Sequence, residues 1–433
     1  MIAHEPRRRL ATRDRLLEKG VARAPIGTTG RHPLRIVFLV LLAFWVVSPL
    51  LLLDAPAQDG PAFLAAARLV RTDPGAVFGA QIQDPRTDAE RTAVRRWTEE
   101  YCRADVAGTC EINHAGYLSP PAALPLYEPF TLLDPRAALF ALRLVAALTM
   151  ALGMELVWRI IAPTTDGERR ILVVSTVLLT PIAINVVALG QNTGVLFVSA
   201  ALGVTACTRG RPGRTLATAV ALGASIVLKI LPGGLLLILA LQRRGRLIAA
   251  VTGVVLALVL VSLVHPISLW TDLLSSLAAY REGASSYSYN RSLDAIVRGT
   301  VAPSLGTGGA IAAGSLLLRL GALASIWFAR VRHLDDDIQL AFGWVGFILL
   351  NDYVWPHYFV LLVPLAAFVA RRRPSALWTL PVAAGATAVL LATWPFDVAG
   401  RLVALVAMAG GLALPFLAPR TADAPAPTDT VPA

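Results

Sequence analysis

The sequence predicts an all-α polytopic membrane protein, a bundle of about twelve transmembrane helices with a long first extracytoplasmic loop. Three observations predict it. Of 433 residues, 56% are apolar and 15% charged, against about 45–50% and about 25% in ordinary soluble domains. The apolar residues lie in long blocks, and mean hydropathy is +0.63. The basic residues fall in short tracts between those blocks, the pattern of loops facing the cytoplasm. These features exclude a disordered chain, a disulfide scaffold and a soluble enzyme of this size. They also account for the net charge of +11 as topology, so no nucleic-acid partner is expected.

Taken in order, residues 1–35 form a cytoplasmic basic segment, with nine basic side chains against Glu5, Asp14 and Glu18. The run Ile36–Leu53 is about long enough to cross a bilayer and carries the chain outward. Ala55-Pro56-Ala57 mimics a signal-peptidase site, but the many apolar segments that follow favour an uncleaved helix. Residues 54–118 are the longest polar stretch, with ten acidic residues and seven arginines, and form the extracytoplasmic loop. Within it Pro61–Val70 reads as a short helix lying at the membrane surface. Cys102 and Cys110 both fall in this loop, where a disulfide and two free thiols are the alternatives; an oxidising compartment favours the disulfide. Cys207 has no evident partner.

Pro120–Leu133 is short and Pro-rich, and reads as a short or re-entrant helix. Apolar segments follow near 137–161, 170–188, 192–208, 214–228, 231–242, 247–264, 308–329, 336–350, 354–370, 376–393 and 400–418. Cytoplasmic positions for Arg209/Arg211/Arg214, Arg243/Arg244/Arg246, Arg330/Arg332, Arg371–Arg373 and Arg420 make the count about twelve, with both termini inside. A break around Pro181–Gln191 is the alternative that would change it by one. The transmembrane domain thus spans 36–418, and the Pro/Ala/Asp-rich tail 419–433 is expected to be disordered. Segments as short as 231–242 cannot cross upright, and broken helices at depth need a protein-lined cavity. That points to a transporter or a membrane enzyme.

Ionisable residues near a membrane are functional candidates because burying them unpaired is costly. By the arginine topology, Asp59, Lys229, Asn290, Arg291 and His357 share the outer face. Short motifs stand here in order: Asp59-Gly-Pro-Ala-Phe63 with Ala65-Ala66-Ala67, Ser119-Pro120-Pro121 with Leu124-Pro125-Leu126, and Gly190-Gln191-Asn192. Lys229-Ile-Leu-Pro232, Asn290-Arg-Ser292-Leu293 and Trp355-Pro356-His357-Tyr358 follow. In these, from about residue 36 to about 370, the chain is similar to the glycosyltransferases of family 87, also called DUF2029, in the GT-C superfamily. Departures from the family pattern are Gly60-Pro61 after the aspartate, Ser119 before the paired prolines, and Asn192 directly after Gln191.

The resemblance implies a GT-C-like bundle in the cell membrane, multi-pass, with a cytoplasmic N-terminus and an extracytoplasmic active site. It implies transfer of a sugar, mannose or arabinofuranose, from a polyprenyl-phosphate donor to an envelope glycolipid or polysaccharide by inverting displacement. That is the chemistry of a hexosyl- or pentosyltransferase (EC 2.4), in practice a mannosyltransferase of cell envelope biogenesis. Asp59 is the candidate base for the acceptor hydroxyl; an N-cap before the helix is its structural alternative. Lys229, Arg291 and His357 are candidate donor and phosphate ligands, whereas Lys229 could instead snorkel to the interface and His357 could be a core residue. Arg281 is a further solvated-loop or phosphate candidate. Asn290, Gln191 and Asn192 are candidate sugar or acceptor contacts. Cations can meet a monophosphate without a metal, so no cofactor is expected, and a divalent ion remains compatible with the site. Asp335-Asp336-Asp337, beside Arg330, Arg332 and His333, reads as a solvated helix cap rather than a metal site. A secondary transporter or lipid flippase for an envelope precursor is the competing reading.

Overall fold

A computed structural model describes residues 32–55, 57, 59–79, 82, 85–105, 119–203, 212–284, 292, 296, 320–321, 334–351, 354–392 and 398–417. Among them every regular element is a helix. The helices are α1 (Pro33–Leu51), α2 (Asp59–Thr72), α3 (Asp88–Ala104), α4 (Leu124–Tyr127), α5 (Pro135–Ile161), α6 (Asp166–Leu189), α7 (Thr193–Leu202) and α8 (Pro212–Lys229). They continue as α9 (Leu235–Leu241), α10 (Gly245–Ser262), α11 (Ser268–Ala284), α12 (Asp336–Leu350), α13 (Leu362–Arg372), α14 (Thr379–Ala392) and α15 (Val398–Ala413).

Local chemistry sets several of the starts. His32 accepts a hydrogen bond from the Leu34 amide ahead of Pro33, and Asp134 accepts from the Arg136 and Ala137 amides ahead of Pro135. Capping boxes, Thr87 with Glu90 and Thr165 with Glu168, open α3 and α6; each meets otherwise orphan amides. Outward, α1 exposes Ile36, Val37, Leu39, Val40, Phe44, Val47 and Leu50 while burying Phe38, Leu42 and Trp45. An apolar face of that extent has lipid as its natural solvent.

Among the described residues six helices are long and apolar enough to cross a membrane: Pro33–Leu51, Pro135–Ile161, Asp166–Leu189, Gly245–Ser262, Pro374–Ala392 and Gly400–Leu417. The chain is therefore a polytopic all-α membrane protein. The other expected crossings are shorter helices, and their shortness has visible causes. Thr193–Leu202 stops at Gly203, whose φ is 59°. Leu235–Leu241 follows a 3₁₀ turn, Leu231–Gly234, that contains Pro232, and α13 follows another, Pro356–Leu361. The expected segment 308–329 lies outside the described residues apart from 320–321. No break occurs near Pro181, because α6 runs through that proline and ends only at Gly190. The Pro-rich stretch after Ser119 is a series of short turns: Pro121–Ala123 packs on α8 and α10, while α4 and Glu128–Leu132 pack on α2.

The two ends of the bundle differ in chemistry. At one, Arg35 pairs with Glu155 at 2.7 Å, His32 meets Asp166 at 2.9 Å, and Arg244 and Arg372 pair with Asp336 and Asp335. Asp335 also accepts from the Asp337 amide as the cap of α12. The acidic triplet is thus a helix cap, as expected, but it is tied by ion pairs, and Asp337 is buried rather than solvated. At the other end lie α2, α3 and the turns after Pro120. Glu128 there accepts from Arg71 at 2.7 Å and meets His265 at 2.7 Å. Helix α2 is packed into the protein, with Pro61–Ala67 buried throughout.

Candidate active site

The second end is held together by a buried arginine. Arg143 on α5 donates to the carbonyls of Leu52 and Leu53, to Ala55 at 2.7 Å and to Ala188 at 3.0 Å. The first three are carbonyls of the chain just past α1, and Ala188 is in the last turn of α6, where carbonyls lack partners within the helix. One guanidinium therefore ties the chain leading into Asp59 to the chain leading into Gln191. Its own burial is made tolerable by the converging carbonyl dipoles.

Two glycines then let these chains touch. Gly190 closes α6 with φ 69°, and a methyl group on it would meet Gly60 Cα at 3.1 Å. A methyl group on Gly60 would strike Leu139 at 2.6 Å. With backbone against backbone, Asp59 and Gln191 face each other, and Gln191 Nε2 donates to Asp59 Oδ2. Among the described residues Asp59 accepts nothing from the amides of its own first turn, so its bond runs across the site. Burial pushes its carboxyl up to about 6, opposed by the charge of Lys229 and the Gln191 bond. Asp59 lies outside the membrane-spanning helices.

Asn192 follows and donates to the Tyr127 hydroxyl at 3.1 Å. Tyr127 stacks on Phe63 with ring centroids 4.6 Å apart, and burial holds its phenol well above the usual range, hence protonated. Lys229 ends α8, and its Nζ lies 5.6 Å from the centre of the Tyr358 ring, within hydrogen-bonding reach of that hydroxyl. Lys229 is in electrostatic range of both Asp59 and His357. Directly after it Ile230 takes φ 49°, a strained state for a β-branched residue, which turns the chain into the Leu231–Gly234 turn. His357 is buried, stacked on Trp355 at 5.8 Å and edge-on to Tyr358 at 5.0 Å.

Four buried polar atoms in this region have no hydrogen-bond partner: Gln191 Oε1, Asn192 Oδ1, Thr193 Oγ1 and His357 Nε2. Each such orphan costs about 1–3 kcal/mol if nothing meets it. Beside them a cavity of about 250 Å³ is walled by Leu126, Phe130, Val145, Val195 and Leu228, with Gln191 and Asn192 on its lining.

Of the residues singled out by sequence, Asp59, Gln191, Asn192, Lys229 and His357 come together here. Asn290 and Arg291 lie outside the described residues, as does Cys110; the side chain of Arg281 is likewise not described. Ser292, from the same motif, is fully buried. Cys102 is disulfide-bonded. Sequence reading passed over Tyr127, Thr193, Tyr358 and Arg143 as site residues. Arg143 carried the plainest signal, an arginine inside a long apolar helix, which is a functional flag in any membrane segment. Tyr127 follows the paired-proline motif directly.

An all-helical membrane protein with a carboxylate, a lysine and unmet amide and imidazole groups buried at one end is built for a polar, charged ligand next to lipid. The chain belongs to glycosyltransferase family 87, whose family model matches residues 117–351. It is therefore a membrane glycosyltransferase. The match takes in Tyr127, Gln191, Asn192 and Lys229, while Asp59 and His357 lie on either side of it. No curated protein and no solved structure matches the chain.

Proposed function

We propose that the protein transfers a sugar, mannose or arabinofuranose, from a polyprenyl-phosphate donor to an envelope glycolipid or polysaccharide at the extracytoplasmic face of the cell membrane. The observation that carries this reading is the Asp59–Gln191 pair beside Lys229 and the orphaned polar atoms, with Gln191 and Asn192 also lining an apolar cavity. The polar atoms suit sugar hydroxyls, and the cavity between α4, α5, α7 and α8 suits an isoprenoid chain entering from the bilayer. About twelve crossings, with 54–118 as the outer loop closed by a Cys102–Cys110 disulfide, complete the reading.

In the reaction Asp59 accepts the proton of the acceptor hydroxyl as its oxygen bonds to the anomeric carbon. On the opposite face the bond from that carbon to the phosphate oxygen breaks, and the polyprenyl phosphate leaves with the electron pair. The configuration inverts in this single displacement. A carboxyl titrating near 6 is a stronger base than an ordinary aspartate yet still ionised at neutral pH. Lys229, with Arg291, meets the charge that grows on the leaving phosphate. His357 Nε2, Asn290, Gln191 and Asn192 hold sugar or phosphate oxygens.

The test is transfer by the purified protein from a panel of polyprenyl-phosphate sugars, with Asp59→Asn alongside. Loss of a general base costs about 10²–10⁴-fold in rate, so a well-folded Asp59→Asn should fall by that factor while still binding donor. Unchanged transfer by that variant removes Asp59 as the base. Transfer from no polyprenyl-phosphate sugar, together with movement of an intact lipid-linked precursor across vesicles, replaces the enzyme with a transporter or flippase.

A further inference from the structure

The opposite end of the bundle holds a second cavity that the transfer reaction does not use. Its volume is about 550 Å³, and it lies where α5, α7 and α13 end and α8 begins. Leu156, Ala217 and Phe368 form apolar wall, and Arg159, Arg214 and Arg371 bring three guanidinium groups to it. No carboxylate is among the described residues that line it.

The three arginines are not equivalent. Arg159 is engaged with Glu155 at 2.8 Å and stands in the last turn of its helix, as Arg371 does; cations are favoured there by the helix dipole. Arg214 stands in the first turn of α8, where the dipole disfavours a cation and favours an anion. Among the described residues, neither Arg214 nor Arg371 is in an ion pair with a carboxylate. A cation at the wrong end of a helix, over an apolar hollow and beside a second unpaired cation, is the arrangement that a bound anion with a hydrocarbon portion completes. The acids at the same end include Glu155, which pairs with Arg35 and Arg159; Asp166, Asp335 and Asp336, which are in ion pairs of their own; and Asp337, which is buried next to Phe368.

We infer that this cavity is a binding site for an acidic glycerophospholipid of the adjoining leaflet. Its phosphate lies between Arg214 and Arg371, and the start of its acyl chains rests on Leu156, Ala217 and Phe368. Basic pockets between transmembrane helices recognise anionic headgroups in this way. The inference does not rest on the identity of the sugar donor.

Native mass spectrometry of the full-length protein, extracted in neutral detergent and titrated with phosphatidylglycerol or phosphatidylcholine, tests it. Wild type should retain phosphatidylglycerol in preference to phosphatidylcholine. The double variant Arg214→Gln/Arg371→Gln should lose that preference by roughly tenfold or more. The control Arg243→Gln/Arg246→Gln removes equal charge at the same end away from the cavity and should retain the preference. A second variant, Ala217→Trp, fills the hollow and keeps every charge; it too should release the lipid. Glycerol-1-phosphate, a headgroup without chains, should fail to compete. Equal retention of the two lipids by wild type overturns the inference, and so does an equal loss in the control pair. Full retention by Ala217→Trp, or effective competition by glycerol-1-phosphate, overturns it as well.

Discussion

At the scale of single residues, the site is governed by what burial does to Asp59. The carboxyl is raised from 3.8 to about 6, and the base must be ionised to act. Transfer should therefore fall about tenfold per pH unit below 6 and level off above 7, giving an acidic limb in kcat/KM. The Gln191 bond stabilises the charged form, so its removal raises the carboxyl further. Gln191→Leu should move the acidic limb upward by about one to two pH units, since a bond to a charged group is worth about 1.5–3 kcal/mol. A limb that stays in place would mean that Gln191 does not hold the working base. The same burial has a sign for stability. A folded value above the unfolded one means that stability is full below pH about 3.8 and is lost as pH rises through about 6. At pH 7 the fold carries an unfavourable carboxylate, and Asp59→Asn should relieve up to about 3 kcal/mol of it. The variant should thus melt no lower than wild type while losing transfer, a pairing that separates function from fold.

At the scale of elements, the site is made by how two chain segments meet, and here sequence reading was only partly sufficient. The arginine topology grouped Asp59, Lys229, Asn290, Arg291 and His357 at one face, and the family resemblance added Gln191 as a candidate contact. It could not show that Asp59 and Gln191 are bonded, since that depends on Arg143 drawing the ends of α1 and α6 together. Gly60, a departure from the family pattern when read linearly, is explained by the backbone contact with Gly190. The short helix expected at Pro61–Val70 is present within α2, and its small alanines allow close burial against the neighbouring elements. The glycine contact can be tested by Gly190→Ala. Its φ of 69° costs an alanine about 1–2 kcal/mol, and the added methyl pushes on Gly60 Cα. The expected result is a lower melting temperature together with a loss of transfer at least tenfold, because the base is displaced from Gln191. A variant as active as wild type would show that the close contact does not position the base.

At the scale of the whole molecule, charge and polarity are sorted between two ends. Ion pairs linking Arg35, Arg244 and Arg372 to acids mark one, and Asp59, Lys229 and His357 mark the other. Arg35, Arg244 and Arg372, from three of the basic stretches read as lying on one side, do meet at one end of the bundle. The number of full crossings was less legible, because hydropathy counts apolar residues whether they make a long helix or a short one behind a 3₁₀ turn. The excess of arginine is the basis for proposing which end faces the cytoplasm, and that orientation sets which donors can reach the site. Single cysteines introduced at two exposed positions, Asp54→Cys and Ser375→Cys, in a Cys207→Ser background, test this with a membrane-impermeant maleimide on intact cells. Asp54→Cys lies beside the site and should label at once. Ser375→Cys follows Arg371–Arg373 and should label only after the membrane is opened. The reverse pattern would place Asp59 at the cytoplasmic face, where nucleotide-activated sugars are available, and a polyprenyl-phosphate donor would then lose its topological reason.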